Sequence, residues 1–133
     1  MADFNNIQID ADNRTEKRKT GDRGENAAAR YLEKNGFKVI CRNFSCKLGE
    51  IDLIAVRKNE MHISFIEVKT RKNTDHGLPC EFVGRSKQKR LIRTAEVFLL
   101  KNPQYADYEM SMDIFEVLTI GRELYVRHLE NAF

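Results

Sequence analysis

Cysteine is scarce and poorly placed for cross-linking. Cys41, Cys46 and Cys80 form an odd, scattered set, which excludes a disulfide framework. The C-x4-C pair lacks the second ligand pair that a structural zinc site needs. No apolar run approaches the length of a membrane span. The opening MADFNNIQID has neither the basic n-region nor the apolar h-region of a secretory signal. The expected compartment is therefore the reducing cytoplasm. There is no internal repeat, low-complexity segment, Gly-rich phosphate loop or Ser-His-Asp pattern. His62, His76 and His128 lie far apart without metal-ligand spacing, and are expected to be surface or partly buried residues. What is present is an ordinary globular composition, 41% hydrophobic and 32% charged over 133 residues. That length fits one domain with a core of its own.

Residues 1–20 alternate polar and charged types without periodicity and read as a flexible arm, leaving 21–133 as the domain. DRGENAAARYLEKNG predicts a helix capped by Asp22, with Glu25 completing a capping box and Gly36 ending it. FKVICRNF (37–44), EIDLIAVR (50–57) and MHISFIEVKTR (61–71) read as strands, the last two joined as an antiparallel hairpin around Lys58-Asn59-Glu60. Residues 72–84 read as a loop, and Arg85 to about Lys101 as a second helix ended by Pro103. MDIFEVLTI (112–120) and ELYVRHL (123–129) form a second hairpin around Gly121-Arg122. The order αβββαββ implies an α/β domain with a mixed sheet.

Charge is unevenly spread. The net charge is +3, yet Lys69 to Arg93 alone carries +6, leaving the remainder slightly acidic. RSKQKRLIR places Arg85, Lys87, Lys89, Arg90 and Arg93 in the first half of a helix, where the dipole is already positive. At 100° per residue they fall outside the arc of Leu91, Ile92, Ala95, Phe98 and Leu99. Cations placed where they cost stability, unless an anion binds, fit contacts to phosphate. Gln88, Arg71 and Lys72 would extend that surface. A solvated charged face is the plainer reading of the same run.

Glu67 and Lys69 interrupt the apolar strand FIEVKTR, and both point to one face. An isolated E-x-K is common by chance, but Asp52 likewise interrupts GEIDLIA. With Asn59 and Glu60 at the centre of the turn, Asp52 falls opposite Glu67, and Glu50 opposite Lys69. Two carboxylates so close repel unless a cation lies between them. Magnesium, with few carboxylates and phosphate oxygens in its shell, suits that position. Lys69 would then orient water or offset phosphate charge. Alternatively, Lys69 simply neutralises a buried acidic network. Glu25 is either a helix-cap residue or a fourth group of the site. Asp113 would approach the site or cap a strand end.

These runs (GDRGENAAARYLEKNGFKVICRNF, GEIDLIA, FIEVKTR, SKQKRL and the ending RHLENAF) resemble the YraN-like family of small bacterial proteins over about residues 21–133. That family is similar to archaeal Holliday-junction resolvases and is placed among restriction-endonuclease-like folds. The resemblance implies a mixed sheet flanked by helices and a D-(x)n-E-x-K site. Asp52, Glu67 and Lys69 match that motif, Glu25 matches the acidic residue of the first helix, and the backbone carbonyl of Val68 would be a further metal ligand. One departure is MSMDIFEV, where many relatives carry Arg-Phe-Asp-Val. Asp113 is retained, but no arginine precedes it.

The resulting expectation is an endonuclease dependent on Mg2+ (or Mn2+) that hydrolyses phosphodiester bonds in branched or structured DNA. Glu25, Asp52, Glu67 and Lys69 are its catalytic candidates; Asp52, Glu67 and Val68 are its metal ligands. Arg71, Lys72, Arg85, Lys87, Gln88, Lys89, Arg90 and Arg93 are its nucleic-acid contacts. A homodimer would suit symmetric cutting of two strands. The alternative is a non-cleaving DNA-binding accessory module of a repair, recombination or DNA-uptake complex. A third reading is a structural domain with a buried Glu-Lys network.

Overall fold

The computed structural model describes residues 5–7, 16–71 and 83–133. Its order is β1 (Asn5–Ile7), α1 (Glu16–Lys34), β2 (Lys38–Cys46), β3 (Gly49–Arg57), β4 (His62–Arg71), α2 (Arg85–Lys101), β5 (Glu109–Ile120) and β6 (Glu123–Leu129). The strands form one mixed sheet in the order β1-β6-β5-β4-β3-β2. Only β4 and β5 run parallel, and α2 is carried on the connection between them. A parallel pair requires such a crossover.

Apolar periodicity explains the two layers. From α1, Ala27, Ala28 and Leu32 pack with Leu53, Ala55, Ile66 and Phe115 on one face of the sheet. From α2, Leu91, Ala95 and Phe98 pack with Ile54, Val56, Ile63, Phe65 and Ile114 on the other. Tyr31, half-buried, meets the Phe115 ring edge-on at 5.5 Å between centroids. α1 ends as expected at Gly36, which takes a positive φ of 87°. Phe37 N–H reaches back to the Leu32 carbonyl at 3.0 Å, closing the last turn.

The start of α1 differs from the expected one. The helix begins at Glu16, so Asp22 lies inside it and Glu25 is not part of a capping box. Within residues 1–20, read from sequence as an arm, Asn5–Ile7 pair antiparallel with β6 and add a strand to the expected order. Three polar-flanked residues carry no period long enough to announce a strand. The expected loop at 72–84 lies outside the described residues up to position 82, and with it Lys72, His76 and Cys80. Among the described residues no helix is long and apolar enough to cross a membrane.

Candidate functional site

Both hairpins have the expected register. Arg57 pairs with His62 and Leu53 with Ile66, and Ile120 pairs with Glu123 across Gly121-Arg122. The β3–β4 ladder stops at Leu53 and Ile66. The backbone ladder therefore does not join Asp52 to Glu67, nor Glu50 to Lys69. Instead the Val68 N–H donates to Asp52 Oδ2 at 2.7 Å. A side-chain oxygen takes the place of a strand carbonyl where the two strands part. The N–H and C=O of a strand residue leave on the same side, so the Val68 carbonyl opens toward this gap as well.

β3 changes its facing at the same point. Leu53 and Ala55 belong to the α1 layer, and Ile54 and Val56 to the α2 layer. Strict alternation would put Ile51 with Leu53, but Ile51 packs in the α2 layer. Opposite the break, Asn43 has a positive φ of 54°, and the β2–β3 pairs skip from Arg42–Leu53 to Phe44–Ile51. The irregularity frees Asp52 from the ladder.

On β4, Ile63 and Phe65 face α2, so alternation sends Glu67 and Lys69 to that face. Asp52 and Glu67 line a cleft of about 200 Å³ between sheet and helix, with Glu50 from β3 and Lys87 and Arg90 from α2. Glu67 Oε1 forms an ion pair with Lys87 Nζ. Glu67 Oε2 is buried and has no hydrogen-bond partner among the described residues. Burial pushes the Asp52 carboxyl up to about 6; the Val68 N–H opposes the shift, and the charges of Glu67, Glu25 and Glu50 add to it. Glu25 thus acts on the site from α1. Its approach depends on Gly24, since a Cβ at that position would lie 2.3 Å from Thr70 Oγ1 on β4.

Lys69 does not line the cleft. It is half-buried and lies beside Glu116 in the parallel register. Glu116 is 1% exposed and Arg127 6%, and the guanidinium Nη2 of Arg127 donates to both carboxylate oxygens of Glu116 at 2.9 and 3.1 Å. Sequence reasoning misses this charged pair, one strand away from Lys69. The signal that could have found it is a Glu and an Arg in apolar strands paired across the Gly121 turn.

The cationic face of α2 has the expected form. Arg85, Lys89, Arg90 and Arg93 are exposed and Lys87 is half-buried. The N-cap is Gly84, with no side-chain cap bond and no acidic residue in the first turn. Gln88 is committed locally, its amide nitrogen donating to the Val83 carbonyl at 2.7 Å. Arg71, half-buried at the end of β4, pairs with Leu118 in the β5 register.

Asp113 does not approach the site; of its two expected roles it takes the strand-end one, accepting the Asn131 N–H just past the end of β6. It is fully buried in the middle of β5, on the α1 side, away from Glu67. His128 Nε2 contacts its Oδ2 at 2.7 Å, and the Asn131 N–H donates to Oδ1 at 3.1 Å. Burial alone would raise the Asp113 carboxyl; the bonds and charge of His128, with Ser111 and Asn131, outweigh burial and hold it below the usual value. Glu130 lies close enough to make a potential three-ligand cluster with Asp113 and His128. Glu130 is, however, ion-paired with Arg57 at 3.3 Å. Through the two Asp113 oxygens, which meet His128 and the Asn131 N–H, this cluster ties the C-terminal end to the sheet.

The Asp52–Glu67 donor set, in contrast, fits a hard divalent cation. It offers a buried carboxylate oxygen with no hydrogen-bond partner among the described residues, a second carboxyl raised by burial and by acidic neighbours, and only oxygen donors.

The chain is similar in sequence to other proteins along nearly their whole length. A UPF0102 protein of Caldanaerobacter subterraneus subsp. tengcongensis is 42% identical over 120 residues, covering 88% of this chain and 96% of that one. One of Clostridium acetobutylicum is 42% identical over 118 residues, covering 87% and 94%. One of Alkaliphilus metalliredigens is 41% identical over 113 residues, covering 85% and 96%. The model of the uncharacterised protein family UPF0102 matches residues 24–120, a span that begins at the close-packed Gly24 and includes Glu25, Asp52, Glu67, Lys69 and the basic helix. The chain belongs to the UPF0102 (YraN-like) family.

Proposed function

We propose that this protein is a metal-dependent endonuclease of restriction-endonuclease-like type, akin to archaeal junction resolvases, acting on DNA with branched or other structured geometry. The observation that carries the reading is one cleft with two sides of opposite charge. Asp52 and the half-satisfied Glu67 form its floor, and the cationic first half of α2 forms its wall.

Asp52, Glu67 and the Val68 carbonyl would hold Mg2+ or Mn2+, with Glu25 adding negative charge from α1. Bound there, the cation would polarise a phosphodiester oxygen and acidify a water molecule. The chain's own groups account for the rest. The Val68 N–H fixes the Asp52 carboxylate in one orientation. Arg85, Lys89, Arg90 and Arg93 hold phosphates on either side of the scissile bond. Lys69, on the Glu67 face of β4, would swing toward the reacting phosphate and offset its growing charge. Water adds to phosphorus, the P–O bond to one sugar oxygen breaks, and that oxygen leaves with a proton.

The test is incubation with single-stranded, duplex, flap and four-way-junction DNA, with Mg2+, Mn2+ or EDTA, for wild type and Lys69→Ala. Metal-dependent cleavage lost in a folded Lys69→Ala variant is expected. Tight, salt-sensitive binding without cleavage would favour the non-cleaving accessory module. One observation leans that way: Lys69 lies outside the cleft as it stands. In that case Asp52→Asn would leave DNA affinity unchanged.

A further inference from the structure

The Lys87–Glu67 contact joins the two halves of the cleft. Lys87 is in the first turn of α2, and its side chain is 44% exposed, whereas that of Glu67 is 14% exposed. It neutralises Oε1 alone, and the buried Oε2 has no hydrogen-bond partner among the described residues. An ammonium on a flexible four-carbon stem is a point charge that can turn to solvent without disturbing the helix. Arg85, Lys89 and Arg93 are exposed and lie outside the cleft, and Arg90, exposed as well, lines it without an ion pair to Glu67 among the described residues. Lys87 is the member of that face turned inward onto a carboxylate.

We infer that Lys87 is an internal stand-in for the cation: it holds Glu67 when no divalent ion is bound, and is released to a nucleic-acid phosphate when one is. This rests on the metal-and-DNA reading above and adds a coupling to it. Divalent ions and the ammonium compete for one carboxylate. Displaced, Lys87 adds one positive charge to the phosphate-facing surface. Metal then strengthens DNA binding, and DNA strengthens metal binding by the same factor. The protein would thus hold DNA most tightly when loaded for reaction.

The experiment compares wild type, Lys87→Gln and Lys87→Arg. Mn2+ affinity is measured by calorimetry without DNA. The salt dependence of short-duplex binding is measured by fluorescence anisotropy in EDTA and in Ca2+, an ion that also takes oxygen ligands. Lys87→Gln, its competing charge gone, should bind Mn2+ roughly two- to fivefold more tightly than wild type. In wild type the slope of log affinity against log salt should steepen by about 0.9 on adding Ca2+, as one more phosphate is neutralised. Lys87→Gln should show no such change, and Lys87→Arg should restore both wild-type behaviours. Mn2+ binding no tighter in Lys87→Gln, or a slope change that survives in it, overturns the stand-in role and leaves the metal site intact. No Mn2+ binding by wild type overturns both readings. Thermal unfolding of each variant checks that a change at this half-exposed position has not cost the fold.

Discussion

Val68 donates its backbone N–H to the carboxylate of Asp52, 2.7 Å away, where the β3–β4 ladder ends. The bond satisfies a backbone donor that the parting strands would otherwise leave exposed. It also fixes a carboxylate among three other acids. The arrangement costs the protein stability at neutral pH, because Asp52 must hold its charge while partly buried and beside Glu67, Glu25 and Glu50.

Asp52→Asn should therefore stabilise the protein in the presence of EDTA. The folded-state carboxyl titrates at about 6 and the ordinary value is 3.8. Above the folded value the native state carries a charge that the unfolded chain bears more easily; below the ordinary value both states are protonated and the difference vanishes. Asparagine keeps an oxygen for the Val68 N–H. The gain should be ~1–2 kcal/mol near pH 8 after allowance for solvent screening, shrinking to nearly nothing at about pH 3. Urea unfolding at the two pH values measures it. A less stable variant at the higher pH would mean that the carboxylate is a net structural asset.

Gly24→Ala should destabilise, although alanine is normally the better helix former. Against an intrinsic gain of ~1 kcal/mol, the new Cβ would lie 2.3 Å from Thr70 Oγ1. Overpacking at such a contact costs ~1–3 kcal/mol. Thr70→Ala removes the obstacle, so the double variant should be more stable than Gly24→Ala alone. A double-mutant cycle from chemical denaturation would show additive effects if helix and strand were not in contact here.

Most of the sheet was legible from alternation, because five of its strands bury apolar residues at period two or in short runs, and both hairpin registers follow from their turns. The irregularity at Asp52 was not. A strand that reverses its facing by one residue leaves no mark in a sequence whose alternation is already interrupted by a charge. The site residues stood out as charges within apolar strands, the pattern that also marked Glu116 and Arg127. Which of them meet was decided by strand order, since β4 pairs with β5 across a helix-bearing connection that no local signal specifies. Lys87 was legible as one cation among five; its inward turn depends on the placement of α2 over β3. Gly24 could have been found as a glycine inside a strong helical pattern, where it is costly unless something packs against it.

Glu116 and Arg127 should behave as a unit. Both are buried and held by two bonds from one guanidinium nitrogen. Arg127→Met alone leaves an uncompensated carboxylate in the interior and should cost ~3–5 kcal/mol. Adding Glu116→Leu removes the orphaned charge and should recover much of that loss. If the double variant proves no better than Arg127→Met, the arginine's contribution is its packing rather than its charge. Cleavage by the double variant then shows whether the pair beside Lys69 matters to the lysine or only to the fold.

Arg85→Ala and Lys89→Ala should separate binding from stability in opposite directions. Both residues are exposed near an α2 N-terminus that has no acidic residue in its first turn and no side-chain cap. A positive charge there opposes the helix dipole, so each replacement should leave the melting temperature equal or slightly higher. DNA affinity should fall, with the salt slope reduced by about 0.9 for each phosphate that is no longer neutralised. The loss should be similar for different sequences, because interactions with the backbone carry no base readout. Anisotropy titrations over a salt series, run beside thermal melts, test both halves at once. Unchanged slopes would place the nucleic acid elsewhere on the protein, and lower melting temperatures would show that these cations serve the fold.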